Sequence, residues 1–150
     1  MAQEWRAFRH RLAMHDYRND PWLSGFIDGE GCFTRCTAPG AGGRSYYRPR
    51  FSLALRWDDK PLLESLRDQL GGSVNDSRNA MVGKRQRGFA WMLAGRDDLA
   101  GLVAYLERFP LRSRKAAQYE AWLEMWADYL AGGPAIPCEA RGRPISAPAA

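Results

Sequence analysis

Histidine is nearly missing from this chain of 150 residues: His10 and His15 are the only two. Two imidazoles isolated near one end argue against a Ser-His-Asp hydrolase or a histidine-dependent nuclease. Cysteine is scarce as well. Cys32, Cys36 and Cys138 form neither an even disulfide framework nor a four-ligand metal set, so they read as buried or spare thiols in a reducing compartment. No apolar run is long enough to span a membrane, and charges run through the first residues where a secretory signal would be apolar. These absences point to a soluble, intracellular protein. Acids are also missing from two stretches. None lies between Gly31 and Trp57, which holds Arg35, Arg44, Arg48, Arg50 and Arg56, and none between Ser77 and Arg96, which holds Arg78, Lys84, Arg85 and Arg87. A solvated surface normally mixes signs, so two acid-free basic blocks read as a surface for a polyanion.

What is present is globular: 45% hydrophobic and 26% charged residues in a length suited to one domain, with a net charge of +5. Of the 22 basic residues 19 are arginine, the side chain best suited to bidentate contacts with phosphate and guanine. Spacing predicts the elements. Trp5, Phe8 and Leu12 mark an amphipathic helix or arm within residues 1–19. Phe51, Leu53 and Leu55 alternate with Arg50, Ser52, Ala54 and Arg56 in a long strand from Tyr46 to Trp57, apolar on one face and basic on the other. Cys32–Thr37, Ser73–Asn79 and the stretch around Phe89, Trp91 and Leu93 predict three more strands. Helices are predicted from Leu62, Leu63, Leu66 and Leu70, capped by Asp58 or Asp59, and from Leu99, Leu102, Val103 and Leu106, capped by Asp97 or Asp98. Ser113 can cap a last helix carrying Trp122 and Trp126. The strand, strand, helix order occurs twice, as a pseudo-repeat. Residues 132–150, rich in Pro, Ala and Gly, predict a mobile tail.

The chain is organised around Trp22-Leu23-Ser24-Gly25-Phe26-Ile27-Asp28-Gly29-Glu30-Gly31. Asp20 can cap this helix and Pro21 suits its first turn, while Leu23, Phe26 and Ile27 supply its apolar face. Pro21, Gly25 and Gly29 share a second face with almost no side chain, against which another backbone can come close. Two glycines inside a short helix, and Glu30 against the negative end of its dipole, each break a local rule. Both make sense if two copies of the helix pack glycine to glycine and bring two carboxylates to one axis.

The stretch Leu23-Ser24-Gly25-Phe26-Ile27-Asp28-Gly29-Glu30-Gly31 resembles the LAGLIDADG motif of the homing endonucleases, with Ser, Phe, Gly and Glu at four of its positions. The resemblance extends over roughly residues 21–130. It implies an α+β fold in αββαββα order, with a curved four-stranded antiparallel sheet forming half of a DNA saddle, here with an added C-terminal helix. The domain then runs over residues 20–131. One motif implies a homodimer that makes metal-dependent double-strand cuts in a long, near-palindromic DNA site. The resemblance assigns Glu30 as metal ligand, with the Gly29 carbonyl beside it and Asp28 ranked second; Mg²⁺ is the natural ion and Mn²⁺ an alternative. It also places Arg56 near the scissile phosphates, where Gln is commoner, and one of Arg112, Arg114 and Lys115 there too, with Lys115 or Arg114 favoured. For readout of the major groove, side chains opposite the apolar parity are the candidates: Arg44, Tyr46, Arg48, Arg50, Ser52, Asn75, Ser77 and Met92, with Arg85, Arg87 and Arg112 at the margins. Two rivals stay open. One keeps the fold without cutting, as an RNA-splicing maturase or DNA-binding regulator; the other is an ordinary dimerising domain without nucleic acid.

Overall fold

Alternation of apolar and polar residues on four strands, with four apolar-faced helices before, between and after them, leaves one economical arrangement: a sheet with all of its apolar side chains on one face, under the helices. The computed structural model, which describes residues 1–39, 41–43, 45–77 and 88–132, has this arrangement. Helix α1 (Ala2–Met14) and a 3₁₀ turn (Tyr17–Asn19) precede the motif helix α2 (Trp22–Glu30). Strands β1 (Gly31–Pro39) and β2 (Ser45–Arg56) lead to α3 (Lys60–Leu70), and β3 (Ser73–Ser77) and β4 (Gly88–Leu93) lead to α4 (Arg96–Arg108) and α5 (Lys115–Leu130). The sheet is antiparallel throughout, in the order β1-β2-β4-β3. The pseudo-repeat, two ββα units after a first helix, is therefore real.

Register decides which side chains share a face. Phe33 pairs with Phe51 and Leu53 with Trp91, and these join Leu23 and Ile27 of α2, Leu63 and Leu66 of α3, Leu99 and Leu106 of α4, and Trp122 of α5 in one core. The opposite face carries Cys32 across from Ser52, Thr34 from Arg50, Cys36 from Arg48, and Asn75 from Ala90. Two tryptophans tie core to backbone: Trp91 Nε1–H donates to the Gly71 carbonyl at 2.9 Å, and Trp122 Nε1–H to the Thr34 and Arg50 carbonyls at 3.0 and 3.1 Å. Gly72 turns the chain from α3 into β3 at φ 83°, and a Cβ there would stand 2.3 Å from the Met92 carbonyl oxygen, so positive φ and close approach both require glycine.

Capping differs in part from the sequence expectation. Asp20 does cap α2, its Oδ1 accepting from Trp22 N–H at 2.7 Å. Asp97 and Asp98 instead lie in the first turn of α4 behind Gly95 at the cap, and no side-chain cap bond forms at Asp59. Carboxylates in a first turn, as Asp97 and Asp98 are in α4, still stabilise the helix through its dipole.

The start of α2 is held from α4. Tyr105 Oη accepts from Ser24 N–H at 2.9 Å and donates to the Asp20 carbonyl at 2.6 Å, while Ser24 Oγ–H donates to the Pro110 carbonyl at 3.3 Å. Burial pushes the Tyr105 phenol up to about 12, so it stays a donor through neutral pH. Tyr105→Phe keeps the ring and strands the Asp20 carbonyl, with an expected loss of about 1–3 kcal/mol. Urea unfolding of the two proteins measures it; an unchanged midpoint would show that the phenol bridge contributes nothing.

Candidate nuclease site at the end of the motif helix

Two carboxylates two residues apart leave the same helix in opposite circumstances. Asp28 points to the start of α5, where its oxygens accept from Arg112 N–H at 2.8 Å, from Ser113 N–H at 3.1 Å and from Ser113 Oγ–H at 2.7 Å. The Ser113 hydroxyl accepts in turn from Lys115 N–H at 3.1 Å, which bears out Ser113 as a cap. Although burial works in the other direction, these donors hold the Asp28 carboxyl below its usual range. Glu30, in contrast, is exposed, and no described residue holds its carboxylate by a hydrogen bond or ion pair. It sits uncompensated at the helix C-terminus, where the dipole disfavours it.

The backbone just past Glu30 is tightly fixed. Gly31 is buried, and a Cβ there would lie 2.7 Å from the Ile27 carbonyl oxygen and 3.0 Å from the Phe51 ring, so only glycine lets the chain leave α2 under the sheet. The Lys115 ammonium donates to the Gly31 carbonyl. A further oxygen is available beside Glu30, since the Gly29 carbonyl falls in the last turn, where carbonyls have no intrahelical donor.

Among the described residues no group of three or more His, Cys, Asp or Glu side chains is gathered as a metal cluster. Asp28, ranked second as a ligand from the sequence, has both carboxylate oxygens accepting from Arg112 and Ser113 just ahead of α5. The Glu30 carboxylate and Gly29 carbonyl remain, an oxygen-only and incomplete set. It fits a hard divalent ion that keeps waters and shares phosphate oxygens, and does not fit a closed tetrahedral site.

The other sequence candidates fall into four groups. Arg112 and Arg114 are exposed at the start of α5, next to the end of α2 through the Asp28 bonds. Tyr46, Arg48, Arg50 and Ser52 alternate along β2 on the face away from the core, with Asn75, Ser77 and Met92 on the same face of β3 and β4, as expected. Arg48 also reaches Tyr129 of α5, with 5.9 Å from its Cζ to the ring centroid, because residues 45–50 of β2 extend past the end of β4. Arg50 is partly desolvated: its Nε is buried with no acceptor. Arg56 is turned aside, its guanidinium bonded to Asp58, with Nε at 2.7 Å from Oδ1. Arg44, Arg85 and Arg87, together with Arg78 and Lys84 of the second basic block and the tail 133–150, lie outside the described residues.

Sequence reasoning missed the outward face of β1, where Cys32, Thr34 and Cys36 line up beside the β2 arginines. The signal was the parity set by Phe33, but a single buried aromatic gave too short a pattern. It also missed that Arg35 faces the helix side, stacked over Tyr47 with Cζ 3.7 Å from the ring centroid.

The face of α2 predicted to be bare is bare. A Cβ built on Gly25 or on Gly29 would meet nothing within 4 Å, and beside them Trp22 and Phe26 stack with centroids 4.9 Å apart, Trp22 being exposed.

A motif helix ending in a free carboxylate under a four-stranded antiparallel sheet with a polar, basic outer face defines the LAGLIDADG type of α+β fold. The sequence profile of the LAGLIDADG endonucleases matches residues 23–126, and the chain belongs to that family. It is 33% identical over 107 residues to a probable intron-encoded endonuclease 3 of Neurospora crassa, a match covering 68% of this chain and 19% of that protein. The chain thus spans about a fifth of that relative's length. The homing endonuclease I-TnaI superimposes with a TM-score of 0.64 at 24% identity, over 75% of each chain. I-SmaMI bound to uncleaved DNA in the presence of calcium ions gives 0.64 at 19% identity, over 79% of this chain and 40% of that one. At such identities these two likenesses speak to the fold. No helix among the described residues is long and apolar enough to cross a membrane.

Proposed function

We propose that the protein is a site-specific DNA endonuclease that acts as a homodimer, cutting both strands of a near-palindromic site in a reaction dependent on Mg²⁺. The observation that carries this reading is the unengaged Glu30 carboxylate, exposed at the end of a glycine-faced helix and beside Arg112 and Arg114. A family member that only bound nucleic acid would have no use for an acid placed against a helix dipole and next to an anionic ligand. Two copies packed along Gly25 and Gly29 bring two such carboxylates together, one for each strand.

Within that site Glu30 and the Gly29 carbonyl would hold the cation, which when bound neutralises phosphate charge and activates water. The residues of the chain do the rest. The outer face of the sheet, through Arg48, Arg50, Ser52, Asn75 and Ser77, binds the duplex and sets its register. Arg112 and Arg114 carry positive charge to the backbone near the scissile bond. Arg56, bonded to Asp58, has to leave that partner before it can order water or touch phosphate.

Cleavage selection from a randomised duplex library with Mg²⁺ tests the proposal: a single recovered site with two-fold symmetry is expected. Tight binding without cutting in Mg²⁺ or Mn²⁺ would favour the maturase or regulator reading instead. Affinity should also fall steeply with salt. Arg48→Ala with Arg50→Ala should lower the log–log slope by roughly 1 for each arginine that touches phosphate, or relax sequence preference where an arginine reads a base. A slope and a site preference both unchanged would reject this face.

A further inference from the structure

We infer that the apolar groove between α1 and the start of α2 is a docking surface for a second copy of this chain, so that the N-terminal helices extend the contact made by the motif helices. The inference rests on the homodimer of the endonuclease reading and adds to it an element outside residues 23–126, the part of the chain shared with the family.

Helix α1 is poorly covered by its own chain. None of its 13 residues is buried, and an isolated helix of about 12–15 residues is marginal in water unless its apolar side is packed. The end of the helix is nevertheless fixed. The His15 carbonyl accepts from Gln69 Nε2–H, Tyr17 N–H donates to Gln69 Oε1 at 3.0 Å, and His15 Nε2 lies 2.9 Å from Asp20 Oδ2. Beside it opens a groove of about 500 Å³, floored by Phe8, Leu12, Tyr17, Trp22 and Leu62. Trp5, edge-on to Phe8 with centroids 5.8 Å apart, prolongs the apolar wall. Met1, Trp5, Met14 and Trp22 are four of the six large apolar side chains left exposed among the described residues, so uncovered apolar surface gathers at this end. Three observations name the occupant. The groove runs into the bare face of α2: the rings of Tyr17 and Trp22 lie 5.8 Å apart and those of Trp22 and Phe26 4.9 Å apart, and Phe26 adjoins Gly25. That bare face is also too small by itself. Helix α2 has 9 residues and spans about 14 Å, and Pro21, Gly25 and Gly29 offer almost no side chain, so the motif helices alone fall short of the roughly 800 Å² per partner that a stable contact buries. The rim of the groove carries both signs, Arg11 on α1 against Asp20 and Asp59 on the other side. Mixed charge suits a surface that meets its own copy across a two-fold axis, whereas phosphates would meet two carboxylates there.

Three variants of the full chain test the groove. Leu12→Glu puts a charge on its floor, Trp5→Glu puts one on its exposed wall, and His10→Glu adds a carboxylate to a residue of α1 that does not line it. Trp5 is exposed, so Trp5→Glu covers the case in which Leu12→Glu does not fold. In sedimentation over a concentration series without DNA, the dimer constants of Leu12→Glu and Trp5→Glu should weaken about tenfold or more, because a carboxylate enters an apolar contact, and that of His10→Glu should stay within about twofold of wild type. In wild type the α1 amides should exchange with solvent deuterium about tenfold more slowly, or slower still, at concentrations where the dimer forms than in dilute monomer. Unchanged exchange of α1 on dimerisation, or dimerisation of Leu12→Glu and Trp5→Glu equal to wild type, overturns the inference while leaving the motif-helix dimer intact. So does protection of α1 that follows added duplex in the dilute monomer, which would assign the groove to nucleic acid. A wild type that stays monomeric at every concentration defeats the homodimer reading itself, and the role of the groove with it.

Discussion

In Mg²⁺ the Glu30→Gln protein is expected to hold its DNA site and leave it uncut. The amide keeps the length and shape of the side chain and removes the charge that binds a hard cation. Such a cation contributes several kcal/mol to stabilising the transition state, so the rate should drop on the order of 10³-fold or more. The fold should not suffer. No described residue depends on the Glu30 carboxylate, and removing a negative charge from a helix C-terminus is worth up to about 1 kcal/mol in favour of the folded state. Without divalent ions, binding should match or exceed that of wild type, because two carboxylates near the scissile phosphates repel them until a cation intervenes. A binding isotherm in Ca²⁺ paired with a nicking assay in Mg²⁺ gives the answer. Undiminished cutting by Glu30→Gln would refute the metal assignment and leave the site without a carboxylate to hold the ion, since Asp28 is committed to α5.

The second large effect has a sign that depends on assembly. In a lone chain Gly25→Leu should be harmless or better: a Cβ at this position meets nothing within 4 Å, and Leu improves on Gly in a helix interior by roughly 0.8 kcal/mol. In a dimer packed along that face the same side chain enters a close backbone contact, with an overpacking cost of about 1–3 kcal/mol or more. The dimer constant should then weaken by about tenfold to a hundredfold while the monomer gains thermal stability. Sedimentation over a concentration series, together with melting of the dilute protein, separates the two. A wild type that is monomeric throughout, or a variant that dimerises equally well, would remove the homodimer from the account.

Much of this was legible in local pattern. The residues of α2 announced their helix, its bare face and its acidic end, because each depends on residues within one or two turns. The face of β2 was legible for the same reason: parity needs only one strand. The fate of Asp28 was not legible. Its partners, Arg112 and Ser113, lie 84 and 85 residues away, and nothing in the Asp-Gly-Glu spacing says which acid turns inward to cap a distant helix. The ion pair of Arg56 was not legible for another reason. Its position at the strand end was right, but a carboxylate two residues on, Asp58, offered a partner at bonding distance, and a local ion pair took precedence over an outward pose. Arg35 was counted with the basic surface because charge sorting along a chain ignores the two sides of a strand.

The six tryptophans divide evenly by environment, three buried and three exposed. Trp91 and Trp122 lie in apolar surroundings with their indole N–H groups committed to backbone carbonyls, whereas Trp5, Trp22 and Trp57 face water. The intrinsic fluorescence is therefore a composite of a short-wavelength component from the core and a long-wavelength one from the surface. Loss of the first on denaturation reports the sheet and helix packing directly. Trp22, stacked on Phe26 beside the bare glycines, belongs to the second component, so a shift of that emission alone toward the blue on concentration reads the meeting of two motif helices without any label.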